Sequence, residues 1–173
     1  SDAGLEGFAP FSEAARGLLR GLVVRFSEAD AQAIKDIEKT TNHDVKAVEY
    51  WLKGNDKLGV PGVFAGQPEL QAAGEFVHFA CTSEDINNTS HALMLKAARE
   101  QVLLPAIDRL IERLRGMAHA WAAVPMLART HGQTASPTTV GKELANVAAR
   151  LARARERIAA VPLLAKMNGA VGN

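Results

Sequence analysis

The sequence predicts an all-α fold. Apolar residues recur at three- and four-residue spacing through several segments, most regularly between Val140 and Ile158, as they do on the buried face of an amphipathic helix. Cap residues precede these segments, and no alternating strand pattern extends beyond a few residues. With 173 residues, of which 47% are hydrophobic, the chain can bury a core in one or two compact units.

Cap and stop signals divide the first half into three helices. The predicted elements are a helix at 27–38, a break at 40–44, a helix at 45–53, a surface loop at 54–67 and a helix at 68–81. Ser27 has the side chain of an N-cap and precedes acidic residues, which favour a helix start. The loop is rich in glycine, and Pro68 suits the first turn of the third helix.

The second half is predicted to contain longer helices. They cover 82–104, a continuation to 121, and the segment from 137 to about 160. Thr82 and Asp85 have capping-box spacing at the first start. Pro105 must kink or restart that helix because it has no amide N–H to donate. At the last start, Ser136 is the predicted cap and Pro137 the first helical residue.

Composition and charge exclude several partner classes. Twenty basic and nineteen acidic residues give a net charge of +1, which favours neither nucleic acid nor a membrane surface as a partner. No apolar run reaches the roughly 18 residues of a membrane span, and the start has no signal-peptide pattern, so we expect a cytoplasmic protein. The single cysteine, Cys81, excludes an internal disulfide, and we expect neither a metal nor a cofactor.

The most informative polar segment is 128–137, which separates two apolar helical segments. It contains Arg129, Thr130, His131 and Gln133 around one glycine. A core would have to satisfy each of these polar groups individually, whereas a titratable imidazole on a loop suits proton transfer. We therefore predict that His131 belongs to a functional site.

Other polar groups permit two interpretations each. His43 stands between Asn42 and Asp44, and these three side chains could bind a ligand or could cap the next helix. His78 could be a satisfied buried histidine or a part of a pocket. Thr82 and Ser83, at a helix start, could cap backbone amides or bind a carboxylate or phosphate together with those amides. The remaining histidines, at 91 and 119, are predicted to be surface or core-edge residues.

Three motifs together resemble one family. They are TTNHDVKAVEY at 40–50, HFACTSEDINN at 78–88 and RTHGQ at 129–133, and the segment KMNGAVGN at 166–173 agrees with them. The chain is similar to the adenylosuccinate lyases of the aspartase/fumarase superfamily. The resemblance implies a partial N-terminal helical domain at 1–82, followed at 83–173 by the first long helices of a central helix-bundle domain.

The resemblance also implies an activity. The family cleaves adenylosuccinate to AMP and fumarate, and releases fumarate from the succinylated aminoimidazole carboxamide ribotide of purine biosynthesis, by elimination across a C–N bond. By position in the motifs, His131 is the general acid, and Thr82 and Ser83 bind a substrate carboxylate. Asn42, His43 and Asp44 contact the nucleotide portion, with His43 near the phosphate, and His78 supports the same pocket.

The chain departs from the family pattern at its end. It stops before the family's serine-containing signature loop, which supplies the general base, and it lacks the N-terminal substrate-binding segment, so we expect these 173 residues to be inactive alone. The family forms homotetramers, in which each site takes residues from several subunits, and we therefore expect self-association. Two alternatives remain: another superfamily lyase such as argininosuccinate lyase, or a non-catalytic helical scaffold.

Overall fold

The computed structural model describes residues 9–172, and within them the fold is mainly helical. The α-helices are α1 (Glu13–Arg25), α2 (Glu28–Thr41), α3 (Asp44–Lys53), α4 (Pro68–Ala72), α5 (Ser83–Ala98), α6 (Leu104–Ala120) and α7 (Val140–Ala160). The strands are β1 (Pro125–Thr130) and β2 (Gln133–Thr139). The prediction of a helical fold is confirmed, and the short hairpin is an addition to it. Within the described part of the chain, no helix is long and apolar enough to cross a membrane.

The chain divides into two compact units. One runs to Asn88 and includes the segment that begins at Lys166, and the other is Thr89–Ala165. The division therefore falls inside α5. The domain boundary expected after residue 82 stays a prediction.

The core of the first unit lies between α1, α3, α4 and the loop that precedes α4. Its central cluster of buried apolar side chains consists of Ala15, Phe64 and Leu70. Helix α1 was not predicted from the sequence. Its N-cap is Ser12, and the same residue donates two hydrogen bonds to the Glu69 carboxylate at 2.6 Å each. These bonds join the start of α1 to α4, although 57 residues separate the two partners.

The turn between α2 and α3 forms as the cap residues predict. Ser27 and Asp30 make a complete capping box at the start of α2. Asn42 ends α2 in the left-handed conformation, with φ 50°, and His43 is the N-cap of α3. The break predicted at 40–44 is therefore a single tight turn between two helices.

The helix predicted at 68–81 is wrong as a continuous element. Only Pro68–Ala72 is α-helical, and Gly74–His78 forms a 3₁₀-helix. A Cβ atom added at Gly74 would lie 3.3 Å from Cβ of Lys53, so α3 approaches this backbone closely. Glycine has low helix propensity and permits this approach, which explains why the α-helix ends before it.

Pro105 restarts the second long helix, as predicted. A π-helical turn, Arg99–Leu103, lies between α5 and α6, and the proline occupies the first turn of α6. Proline cannot donate an amide hydrogen bond and crowds the preceding turn, and a π turn widens the helix at that place.

The segment around His131 is a β-hairpin, which corrects the predicted helix start. Thr130 pairs with Gln133 in antiparallel register, so His131 and Gly132 form a two-residue turn with φ values of 52° and 72°. Pro137 pairs with Leu127 inside β2 rather than beginning a helix. The helix starts three residues later, where the Thr139 side chain accepts the Lys142 N–H.

Helices α6 and α7 pack antiparallel in the second unit. The N–H of Gly141, at the start of α7, donates to the Trp121 carbonyl after the end of α6, and Arg155 forms two 2.9 Å bonds with Asp108 toward the other ends. A Cβ at Gly141 would overlap the Ala118 carbonyl oxygen. Close contact between the two helices therefore requires glycine at this position.

Candidate functional site

His43 makes one hydrogen bond with each ring nitrogen. Its Nδ1 accepts the Lys46 backbone N–H at 3.3 Å, and its Nε2 lies 3.3 Å from Oγ of Ser83. Because a backbone amide can only donate, neutral His43 carries its proton on Nε2. The structure thus shows the capping role, which occupies Nδ1, and leaves an Nε2 donor directed toward the start of α5. A binding role for His43 stays a prediction.

Asp44 completes a Ser–His–Asp arrangement that does not have the geometry of a nucleophilic triad. Its Oδ1 lies 3.4 Å from Nδ1 of His43, but that nitrogen is already the acceptor of a backbone N–H. Nε2 therefore holds a proton and cannot remove one from the Ser83 hydroxyl, as a triad histidine must. Ser83 is better suited to bind a ligand than to attack it.

The Asp44 carboxylate is held in its ionised form. The Val45 N–H donates to Oδ1 at 2.7 Å, and the Asn87 amide donates to Oδ2 at 2.9 Å. These bonds, the backbone bond first, lower the pKa of Asp44 below its usual value. The bond from Asn87 also connects the start of α3 with the first turns of α5. Asn87 was not predicted as a site residue, and its only sequence signal is its place one helical turn after Ser83.

Asn42 lies on the other side of this turn. It borders an open cavity of about 460 Å³ together with Lys35, Glu38 and Lys39 of α2. Its left-handed backbone directs the chain from α2 into α3. No contact given by the structure joins its side chain to His43 or Ser83, and its predicted binding role is untested.

Thr82 precedes α5 and makes one of the two hydrogen bonds of the predicted capping box. Its backbone N–H donates to Oδ2 of Asp85 at 2.9 Å. Asp85 is completely buried and also accepts the Lys166 ammonium at 2.9 Å and the Asn168 N–H at 3.1 Å. The Thr82 amide, followed by Lys166, lowers the pKa of Asp85 to about 2. Asp85 thus stabilises the conformation of this helix start. Its capping-box spacing to Thr82 indicates this role.

His78 contacts a buried carboxylate. Its Nδ1 lies 3.1 Å from Oε2 of Glu49, whose relative exposure is 5%. Glu49 was not among the site residues predicted from the sequence. The sequence does contain a signal for this glutamate. A lysine stands three residues before it and another four residues after it, so all three side chains share one face of α3 and can form ion pairs.

His131 lies in the second unit, at the tip of the hairpin. Its side chain is exposed, and its Nδ1 is 2.9 Å from the Thr130 hydroxyl. A non-glycine residue with positive φ is strained by about 1 kcal/mol, and such strain is frequent at functional sites. The contacts of the other predicted residues, by contrast, all lie within the first unit.

Within residues 9–172, no three His, Cys, Asp or Glu side chains form a group that could hold a metal ion. The donors gathered at the start of α5 are instead a hydroxyl, an imidazole N–H and an amide. Groups of this kind recognise anions and polar organic ligands.

Comparisons with known proteins assign the chain to a family. A family model described as Lyase matches residues 5–173, and the chain belongs to this lyase family. Adenylosuccinate lyases of Vibrio cholerae and Escherichia coli are 58% and 55% identical over 163 residues, and that of Dictyostelium discoideum is 47% identical over 160 residues. These alignments cover 90–94% of this chain but only 32–34% of each relative, so the chain spans about a third of their length.

Solved structures give the same fold. A 3-carboxy-cis,cis-muconate lactonizing enzyme from Pseudomonas putida aligns with a TM-score of 0.68 at 26% identity, and covers 93% of this chain and 35% of its own. A fumarate lyase from a Mesorhizobium species aligns with a TM-score of 0.68 at 21% identity, over 92% of this chain and 35% of its own. The observed fold therefore agrees with the superfamily that the motifs indicate.

Proposed function

We propose that the protein containing these residues is an adenylosuccinate lyase. It cleaves adenylosuccinate to AMP and fumarate, and the succinylated aminoimidazole carboxamide ribotide to the free carboxamide ribotide and fumarate. The observation that carries the proposal is the 58% identity to a relative of that name over 94% of this chain, which includes all three motifs. The chemistry of the candidate site is compatible with such a substrate.

The proposed roles are those that the family motifs assign to these positions. Ser83, with Thr82 at the same helix start, binds a substrate carboxylate through hydroxyl and amide groups. His43 supports this assignment, because its Nε2 proton is a donor that an anionic phosphate can accept. Asn42 and Asp44 contact the nucleotide portion, and His78 lines the same pocket.

His131 is the proposed general acid. Elimination across a C–N bond requires a proton for the departing nitrogen and a base that removes the proton beside the carboxylate. His131 is exposed at a strained turn, which suits a group that must reach a ligand. The base is proposed to come from the remaining two thirds of the full-length protein, and residues 1–173 alone are expected to be inactive.

The proposal extends to assembly and location. The full-length protein is expected to be a cytoplasmic homotetramer without a metal or cofactor. Exposed apolar side chains on the long helices support self-association, since such surface is normally covered by partner helices. A strictly monomeric full-length protein in light scattering would contradict the assembly part of the proposal.

The test is steady-state kinetics of the full-length protein with adenylosuccinate and, separately, argininosuccinate. We expect turnover of adenylosuccinate only, and the opposite preference would support the alternative lyase. His131→Asn should reduce kcat by about 10²-fold or more, whereas a non-catalytic scaffold would show no turnover to lose. Asparagine is the preferred replacement because it tolerates positive φ better than alanine does, so the hairpin is retained. His91→Asn, at an exposed helical position, is the matched control.

A further inference from the structure

Glu49 is the buried centre of a charge cluster that the proposed roles leave unused. The carboxylate accepts the Lys46 ammonium at 2.6 Å and the Lys53 ammonium at 2.8 Å, and His78 Nδ1 lies 3.1 Å away. Lys53 also contacts Glu75 at 2.9 Å. The cluster joins α3 to the 3₁₀-helix Gly74–His78, in which residues three apart face the same side. Glu75 and His78 therefore both face α3.

The Glu49 carboxylate stays ionised in this environment. Burial alone raises its pKa, but hydrogen bonds from Lys46, Lys53 and His78 outweigh burial and lower the pKa to about 2. An ionised carboxylate has only acceptor sites. The contact with His78 is therefore a hydrogen bond donated by Nδ1.

We propose that Glu49 is a positioning residue, which holds His78 with its proton on Nδ1 and presents Nε2 to the ligand as a hydrogen-bond acceptor. Within residues 9–172, the structure gives Nε2 no hydrogen-bond partner, and the His78 side chain is 26% exposed. The two lysines balance the charges of Glu49 and Glu75. The four charges of the cluster therefore cancel.

The consequence is that His78 and His43 have opposite tautomers. His43 carries its proton on Nε2, because Nδ1 accepts from the backbone of Lys46. His78 carries its proton on Nδ1, because Nδ1 donates to Glu49. Lys46 takes part in both contacts. Its backbone amide donates to His43, and its ammonium group donates to Glu49. His43 is suited to an anionic group of the ligand, and His78 to a donor such as a hydroxyl or an N–H group.

The first experiment measures tautomers in the full-length protein by ¹⁵N NMR of labelled histidine side chains. The wild type should show His78 protonated on Nδ1. In Glu49→Gln, the amide can donate or accept, so both tautomers should be present. Glu75→Gln is the matched control, because Glu75 binds Lys53 without contacting His78. A wild-type His78 protonated on Nε2 would overturn the proposal, and this result does not depend on whether the variant folds. A His78 tautomer left unchanged by Glu49→Gln would also overturn it.

The second experiment is kinetic and rests on the proposed function. Glu49→Gln should lower kcat/KM for adenylosuccinate by about tenfold or more, as the loss of partners that orient a ligand-binding histidine does. In a His78→Asn background the same substitution should have almost no further effect, because Glu49 acts through His78. Losses that multiply would contradict a positioning role. If the full-length protein does not cleave adenylosuccinate, the proposed function fails, whereas the NMR result still decides the role of Glu49.

Discussion

The pairing of Lys166 with Asp85 provides the sharpest test of how the end of the described chain is held. Asp85 is completely buried, and its carboxylate accepts the Lys166 ammonium and the backbone N–H groups of Thr82 and Asn168 at 2.9–3.1 Å. Asn88 adds a second connection, because its Oδ1 accepts the Lys166 N–H at 2.7 Å. We predict that Lys166→Met loosens the segment from Lys166 onward.

The structure also sets the magnitude of this effect. Removing one partner of a fully buried ion pair costs about 3–5 kcal/mol. Here the lysine side chain is 36% exposed, and Asp85 keeps two backbone donors. Water can therefore enter beside the carboxylate, and a loss of about 2 kcal/mol is expected, within the range for one hydrogen bond to a charged group. This corresponds to a population of the locally open state that is about 30-fold larger, at about 1.4 kcal/mol for each factor of ten.

Hydrogen exchange of the Asn168 amide measures this opening directly, because that N–H donates to Asp85. The control is Lys142→Met, which removes a lysine from an exposed ion pair with Glu143. The loss of stability expected from this change is at most about 1 kcal/mol. An increase in exchange at Asn168 of less than about threefold, or by the same factor in both variants, would contradict a role of Lys166 in holding this segment.

Two further predictions concern packing and pH. Gly141→Ala should destabilise the second unit by about 1–3 kcal/mol, because the added Cβ overlaps the Ala118 carbonyl. Denaturant unfolding measures this loss, and an unchanged midpoint would contradict the close helix contact. The folded-state pKa of Glu49 is about 2 and its usual value is 4.5, so its contribution to stability is complete above pH 4.5 and is lost as the pH falls toward 2. The stability difference between wild type and Glu49→Gln should therefore shrink over that range, whereas Glu75→Gln, at an 88% exposed side chain, should show little dependence.

Local sequence signals predicted those elements that local interactions determine. The N-cap at Ser27, the break before α3 and the restart at Pro105 all depend on residues within one helical turn of each other. The same signals failed at the hairpin. The segment around His131 was predicted to be a loop, but the flanking segments lack apolar alternation, and only their pairing across the turn makes them strands.

The helical class, the family resemblance and the candidate residues can be recognised in the sequence, because short motifs and helical periodicity are properties of neighbouring residues. The partners of these residues depend instead on the tertiary structure. Glu49 meets His78 across 29 positions, and Lys166 meets Asp85 across 81. The tautomers of the two histidines and the ionisation of the buried carboxylates depend on those partners. Hydrogen bonding and burial are set by what is close in space, which the order of residues along the chain does not specify.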